Sequence, residues 1–266
     1  MIKLEHVVLA SAEQVEFIIE GMRNPMNSWN KSDSIRCHAN EKCPGICDEN
    51  KIGLCIGNND RDLMQKLAVA GTDHRKFMRM IPVYVRITAP LYWWKEFDTY
   101  KVGTVTNSCS TMHKIAEKEF SSDDFSTDHL ATIVGEDIRL LEYYKDDDLQ
   151  YYKHNVDITD TIYELNFMRS LYLAAEEKLK ENDLSEAERK HTVAQKKKFW
   201  WQMIQILPSS YNQTRNVMMN YEVLANIYWS RKDHKLSEWR EFCLWIAGLP
   251  YHELITDVRS SEEASK

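Results

Sequence analysis

Apolar and polar positions along this chain recur with a period that switches between that of a strand and that of a helix, and the switches divide it into predicted elements. Residues 2–10 place Val7, Val8 and Leu9 in a short strand, and Ser11-Ala12-Glu13 opens a helix whose Val15, Ile18 and Ile19 share a face. From Asn24 to Asn59 the pattern dissolves into Asn, Ser, Asp, Cys, Pro and Gly, which predicts a long irregular insertion. Asp60–Ala70 restores the helical period, with Leu63, Leu67 and Ala70 in register and Gly71 placed to stop it. Ile81, Val83, Val85 and Ile87 then alternate strictly, predicting a strand with one buried face, and Pro82 confines that strand to an edge or to its own first residue.

Leu91–Asp98 reads as a helix, and Gly103 begins a loop ending in Asn107-Ser108-Cys109-Ser110, the kind of segment that carries polar groups to a cleft. Beyond Phe120 the pattern is helical. Ser121-Ser122-Asp123-Asp124 supplies caps, Asp157–Leu179 has apolar periodicity, and Ser185 with Glu188 forms a capping box for the next helix. Lys196-Lys197-Lys198 beside Phe199-Trp200-Trp201 reads as a basic patch opposite an aromatic core face. From Leu207-Pro208 through Thr214-Arg215 to Arg231 the pattern reads as unbroken helix. There Asn220, Leu224, Ile227 and Arg231 stand at offsets of four, seven and eleven, so one face aims an amide and a guanidinium the same way, while Asn226 falls off the stripe. The prediction is an α+β chain with a mixed or antiparallel sheet, flanking helices and a helical C-terminal half. It forms one domain over 1–258, with a Cys-rich insertion at about 24–59 and a frayed tail at 259–266.

Composition narrows the function. A chain of 266 residues, 43% hydrophobic and 11% aromatic, has ample material for a core. A net charge of −7, with no dense Lys/Arg block joined to exposed aromatic motifs, argues against duplex nucleic acid as a partner and leaves free nucleotides open. No apolar run approaches ~18 residues, and no basic N-terminal region leads into a long apolar core, so a membrane span and an ordinary signal peptide are not expected and a cytoplasmic protein is. Four of six cysteines, Cys37, Cys43, Cys47 and Cys55, crowd one segment with His38. Their C-x5-C-x3-C-x7-C spacing lacks the tight pairs of structural zinc sites, though a turn at Pro44-Gly45 could bring Cys43 and Cys47 together. Metal ligation and reduced structural thiols therefore both stand as readings of this group. Cys243, among Phe242, Leu244 and Trp245, reads as a small buried hydrophobe. Neither Ser110 nor Cys109 has a G-x-S-x-G elbow or an identifiable base to make it a hydrolase nucleophile.

The succession Leu207-Pro208, Thr214-Arg215 and then N-x-x-x-L-x-N-x-x-x-x-R over Asn220–Arg231 resembles the C-terminal signature of the flavin-dependent thymidylate synthases, the ThyX family. Two other segments extend the resemblance loosely over Asp60–Leu249. His74, in T-D-H before a strand, looks like the family's histidine near the flavin, and Ser110 matches the Ser of R-H-R-x7-S. Counting back from Ser110 gives Tyr100, Lys101 and Val102, so the Arg-His-Arg triplet is missing; Met112, Ile204 and Glu222 likewise stand where the family is commonly basic.

The resemblance implies reductive methylation of dUMP to dTMP, with methylenetetrahydrofolate giving the carbon and FAD, reduced by NADPH, giving the hydride, in a homotetramer whose sites form between subunits. It implies that Arg231 contacts the pyrimidine and stabilises the charge that develops there. Asn220, Asn226 and His74 fall at the flavin, Ser108 and Ser110 at the nucleotide, and Lys101 supplies the remaining cation. Loss of two charge-assisted contacts at ~1.5–3 kcal/mol each weakens a ligand roughly 10²- to 10⁴-fold unless something compensates. Two other readings follow: a divergent non-synthase homologue that binds a nucleotide or flavin for regulation or another pyrimidine modification, and a metal-binding interaction module built on the cysteines.

Overall fold

The computed structural model describes residues 1–36, 53–134, 136–137 and 153–258. In chain order its elements are β1 (Lys3–Leu9), α1 (Ala12–Arg23), β2 (Ile35–Arg36), β3 (Leu54–Cys55), α2 (Asn58–Val69), β4 (Pro82–Pro90), α3 (Leu91–Phe97), β5 (Val105–Ser108), α4 (Thr111–Lys114), β6 (Thr132–Val134), β7 (Lys153–Asn155), α5 (Thr159–Lys178), α6 (Glu186–Ile206), β8 (Asn212–Asn220), α7 (Tyr221–Arg231), α8 (Ser237–Ala247) and α9 (Glu253–Thr256). The fold is α+β, an antiparallel sheet flanked by helices. Among the described residues no helix is long and apolar enough to cross a membrane. Contacts gather the chain into two compact units, one of Met1, Pro90–Tyr92 and Cys109–Gln213, the other of Ile2–Ala89, Trp93–Ser108 and Thr214–Lys266.

The second unit is built on a sheet of order β1-β4-β8-β5. β1 runs antiparallel to β4 and β5 antiparallel to β8. Between the central strands, Leu91 N–H donates to the Tyr211 carbonyl and Tyr221 N–H to that of Ile81, so β4 and β8 also run in opposite directions. Pro82 is the first residue of β4, where a missing N–H costs the ladder least, and the strand itself is central. Val83, Val85 and Ile87 bury one face as their alternation predicts, with Val217 and Met219 beside them. Under the sheet, α1 starts at a capping box between Ser11 and Gln14 and buries Val15, Ile18 and Ile19.

The flanks of the Cys-rich insertion are more ordered than expected. β2 and β3 pair antiparallel, and the fully buried Asp60 of α2 accepts from Arg23 Nε (2.6 Å), Ser32 Oγ (2.7 Å) and Ser34 Oγ (2.6 Å). Burial by itself raises the Asp60 carboxyl, but the bonds from Ser34, Ser32 and Arg23, with the Arg23 charge, outweigh it and hold the group below the ordinary carboxylate range.

In the first unit α5 and α6 pack as a pair over Ile115, Phe120, Phe125, Leu165 and Met203. The Ser185–Glu188 capping box opens α6, and Lys196 lies 2.7 Å from Glu176 and over the Tyr172 ring, so it ties the two helices together. Three stretches depart from the sequence reading, the first being the region beyond Phe120 read as helical, where β6 and β7 pair antiparallel. Asn212–Asn220, expected as helix, is β8, and the expected loop after Gly103 contains β5. β8 opens with the polar run Asn212-Gln213-Thr214 and alternates only at its end. Its strand state comes from ladders on both sides that no local period records.

Candidate functional site

Helix α7 begins at Asn220, whose side-chain Oδ1 accepts from the Val223 N–H at 3.0 Å and caps the helix. Leu224 and Ile227 on the same face are fully buried. Arg231 closes the face about 16 Å further on, at 1.5 Å of rise per residue. Its Nε–H donates to the Tyr100 hydroxyl at 2.9 Å, its Nη1 to Glu96 Oε2 at 2.8 Å, and the guanidinium lies 4.9 Å from the centre of the Trp239 ring. Glu96 Oε2 also accepts from Trp239 Nε1 at 3.0 Å, and His234 Nε2 lies 3.5 Å away. His234 Nδ1 accepts from the Leu236 N–H at 3.2 Å, which leaves Nε2 to carry the ring proton toward Glu96. The Arg231 guanidinium is thus held at both Nε and Nη1 and lies over an indole ring, with its side chain 20% exposed.

The chain between α3 and β5 runs along this same face of α7. Tyr100 meets Arg231 at the C-terminal end, and Gly103 meets Asn220 at the N-terminal end. Gly103 has φ +79°, and a Cβ there would fall 2.8 Å from Asn220 Nδ2 and 3.1 Å from Val223 Cγ2, so the approach admits only glycine comfortably. Between these anchors Lys101 and Val102 face solvent, Val102 at 91% exposure. Asp98, at the start of the same turn, accepts from Arg215 Nη1 at 2.7 Å, and the Arg215 guanidinium lies 4.1 Å from the centre of the Trp94 ring. The end of α3 and its following turn therefore organise both arginines and Asn220.

A second charge cluster sits at the N-terminus of α7. Glu222, in the first turn where a carboxylate suits the helix dipole, bonds to Arg75 Nε at 3.2 Å and to Arg79, whose Nη2 also donates to the Thr72 carbonyl at 3.2 Å. Glu222 thereby fixes the segment that carries His74, which is exposed and donates its backbone N–H to Gly71.

Asn226 is exposed, off the stripe that holds Leu224 and Ile227. Ser108 is exposed at the end of β5, opposite Arg215 of β8. Ser110 belongs to the first unit, where it caps α4 by accepting from the His113 N–H at 3.2 Å, next to the exposed Cys109. Cys55 is buried in β3; Cys37, Cys43 and Cys47 lie outside the described residues. Among the described residues no group of three His, Cys, Asp or Glu side chains is placed to hold a metal. Cys243 is buried, and burial pushes its thiol up to about 12. Sequence reasoning did not single out Glu96, Trp239 or the Arg75–Glu222–Arg79 cluster. The pairs Arg231–Glu96 and Trp239–Glu96 span 135 and 143 residues, and no local spacing signals them.

No protein-family model matches the chain, and no curated protein matches it. Solved structures do. A crystal structure of the flavin-dependent thymidylate synthase ThyX from Helicobacter pylori, complexed with FAD and dUMP, matches with a TM-score of 0.50 at 13% identity, covering 97% of this chain and 99% of that one. A second structure of thymidylate synthase X from the same organism, with FAD and dUMP, gives a TM-score of 0.51 at 14% identity, covering 97% of both chains. At this identity the likeness shows the fold.

Proposed function

We propose that this chain is a flavin-dependent thymidylate synthase-like enzyme, methylating dUMP to dTMP with methylenetetrahydrofolate and with FAD reduced by NADPH. The observation that carries the reading is Arg231, a guanidinium held by Tyr100 and Glu96 against Trp239 on a chain whose fold matches that of two such synthases. A fork fixed before the ligand arrives directs its remaining N–H groups without reorganisation, which suits stabilisation of charge developing on a pyrimidine oxygen. Glu96 offsets the Arg231 charge, so this position favours a polarised carbonyl over a phosphate dianion.

A flavin site belongs to the same proposal. His74, Lys101 and Asn226 are exposed, whereas Asn220 is buried with its Oδ1 committed to the α7 cap. When bound, reduced flavin supplies the hydride. Lys101 offers a phosphate its charge, His74 and Asn226 offer hydrogen bonds, and Ser108 offers a hydroxyl to the nucleotide. Assembly into a cytoplasmic homotetramer, with sites formed between copies, belongs to the same reading.

One observation favours a second reading, a homologue that binds nucleotide or flavin without synthase activity. Tyr100, Lys101 and Val102 replace the triplet, Tyr100 is engaged by Arg231, and Glu222 engages both Arg75 and Arg79. The purified protein separates the two. The synthase reading expects a yellow protein that releases FAD on heating and oxidises NADPH faster when dUMP is added. Yellow protein without dUMP-stimulated oxidation favours the second reading, and a colourless protein that takes up no added FAD defeats the synthase assignment.

A further inference from the structure

The outer face of the sheet in the second unit is ordered in rows. Val8 lies directly opposite Tyr84, and Met218 directly opposite Val105. The Thr88–Thr214 hydroxyl contact at 2.7 Å sets the register of the two central strands and puts Tyr84 beside Met218. An apolar row therefore crosses all four strands, with Val8 46%, Tyr84 45% and Val105 63% exposed. The next row toward the end of β4 is polar: Glu5 opposite Arg86, then Asn216 opposite Asn107. The two rows line a shallow cavity of about 240 Å³.

Two features of this face call for an outside partner. A carboxylate and a guanidinium directly opposed across neighbouring strands normally pair. Among the described residues, however, neither the Glu5 nor the Arg86 side chain has a hydrogen-bond or ion-pair partner. The apolar row is also wider than scattered surface hydrophobes and is rimmed by polar groups, the pattern of an interaction surface. Partnering through the sheet edge is blocked at β1, where the register breaks between Glu5 and Val8 and His6 takes φ +49°.

We propose that this face binds a second copy of the chain. The face is self-complementary, carrying one unpaired carboxylate and one unpaired guanidinium beside an apolar row, and a two-fold interface uses each patch twice. Glu5 of each copy pairs with Arg86 of the other, and the rows holding Tyr84 close on each other and leave water. The inference names a surface for the assembly in the reading above, yet it rests on the sheet face alone.

Sedimentation equilibrium of the full chain tests it. The native protein sediments at an even multiple of the chain mass. Tyr84→Glu, at a half-exposed position, keeps the native circular dichroism and raises the dissociation constant at least about 100-fold, because a lone carboxylate enters the apolar row. Arg86→Glu and Glu5→Arg each weaken assembly alone by at least about tenfold, and mixing the two variants restores it, since each supplies the charge that the other lacks. Native chain that stays single over the whole concentration range overturns the proposal, as does Tyr84→Glu that stays assembled or a mixture that gains nothing. FAD and dUMP titrations of the native chain report on the catalytic reading separately, so its failure is not mistaken for failure of the interface.

Discussion

Replacing Gly103 with alanine tests the contact that joins the turn carrying Lys101 to the start of α7. At φ +79° a side chain costs about 1–2 kcal/mol relative to glycine. The new Cβ falls 2.8 Å from Asn220 Nδ2, so the carboxamide has to move. Moving it breaks the 3.0 Å bond from the Val223 N–H to Asn220 Oδ1, a helix cap worth about 1 kcal/mol. The expected loss is about 2–3 kcal/mol. Asn220→Ala alone costs about 1 kcal/mol by losing the cap. If the two costs share that cap, the double variant loses about 2–3 kcal/mol rather than about 3–4, a coupling of about 1 kcal/mol. Urea unfolding at matched m-values, followed by circular dichroism, measures all four corners of the cycle. Additivity within about 0.5 kcal/mol refutes the shared contact, and a Gly103→Ala loss under 0.5 kcal/mol refutes the close approach itself.

Arg231→Ala and Arg231→Lys both abolish dUMP-stimulated NADPH oxidation while the melting temperature moves little, because a lysine cannot bridge Tyr100 and Glu96 as a planar fork does; full turnover in either variant removes Arg231 from its role. Asp60→Asn leaves Arg23 buried without a counter-charge and destabilises by about 3–5 kcal/mol at pH 7 in thermal or urea melts; a loss under about 1 kcal/mol contradicts this account. The folded-state carboxyl of Asp60 lies below its unfolded value, so its contribution is complete above about pH 4 and is lost as pH falls through the folded value; the Asn variant has a flatter stability profile there. Cys109, exposed, alkylates in the native protein at neutral pH, whereas Cys243, raised to about 12 by burial, does not until the chain unfolds; mass spectrometry of the labelled peptides decides it.

Much of the framework follows from local pattern. The alternation from Ile81 to Ile87 placed β4, the box at Ser185 and Glu188 placed the start of α6, and the stripe through Leu224 and Ile227 placed the buried face of α7. In each case neighbouring residues in sequence hold the information, because helix and strand periods and caps are local properties. The same reasoning carried the helix too far upstream over Asn212–Asn220, where a mostly polar run becomes a central strand only because β4 and β5 flank it.

The candidate site divides along the same line. The sequence by itself determined that Leu224, Ile227 and Arg231 lie on one side of a helix, whereas Asn220, read as part of that helix, ends β8 and caps α7. Only the tertiary structure decided what meets them there: Tyr100 and Glu96 on Arg231, Gly103 on Asn220, and Glu222 between Arg75 and Arg79. Those partners lie more than a hundred residues away along the chain. Charge pairing and close backbone approach depend on distance in space, which no periodicity in one dimension encodes.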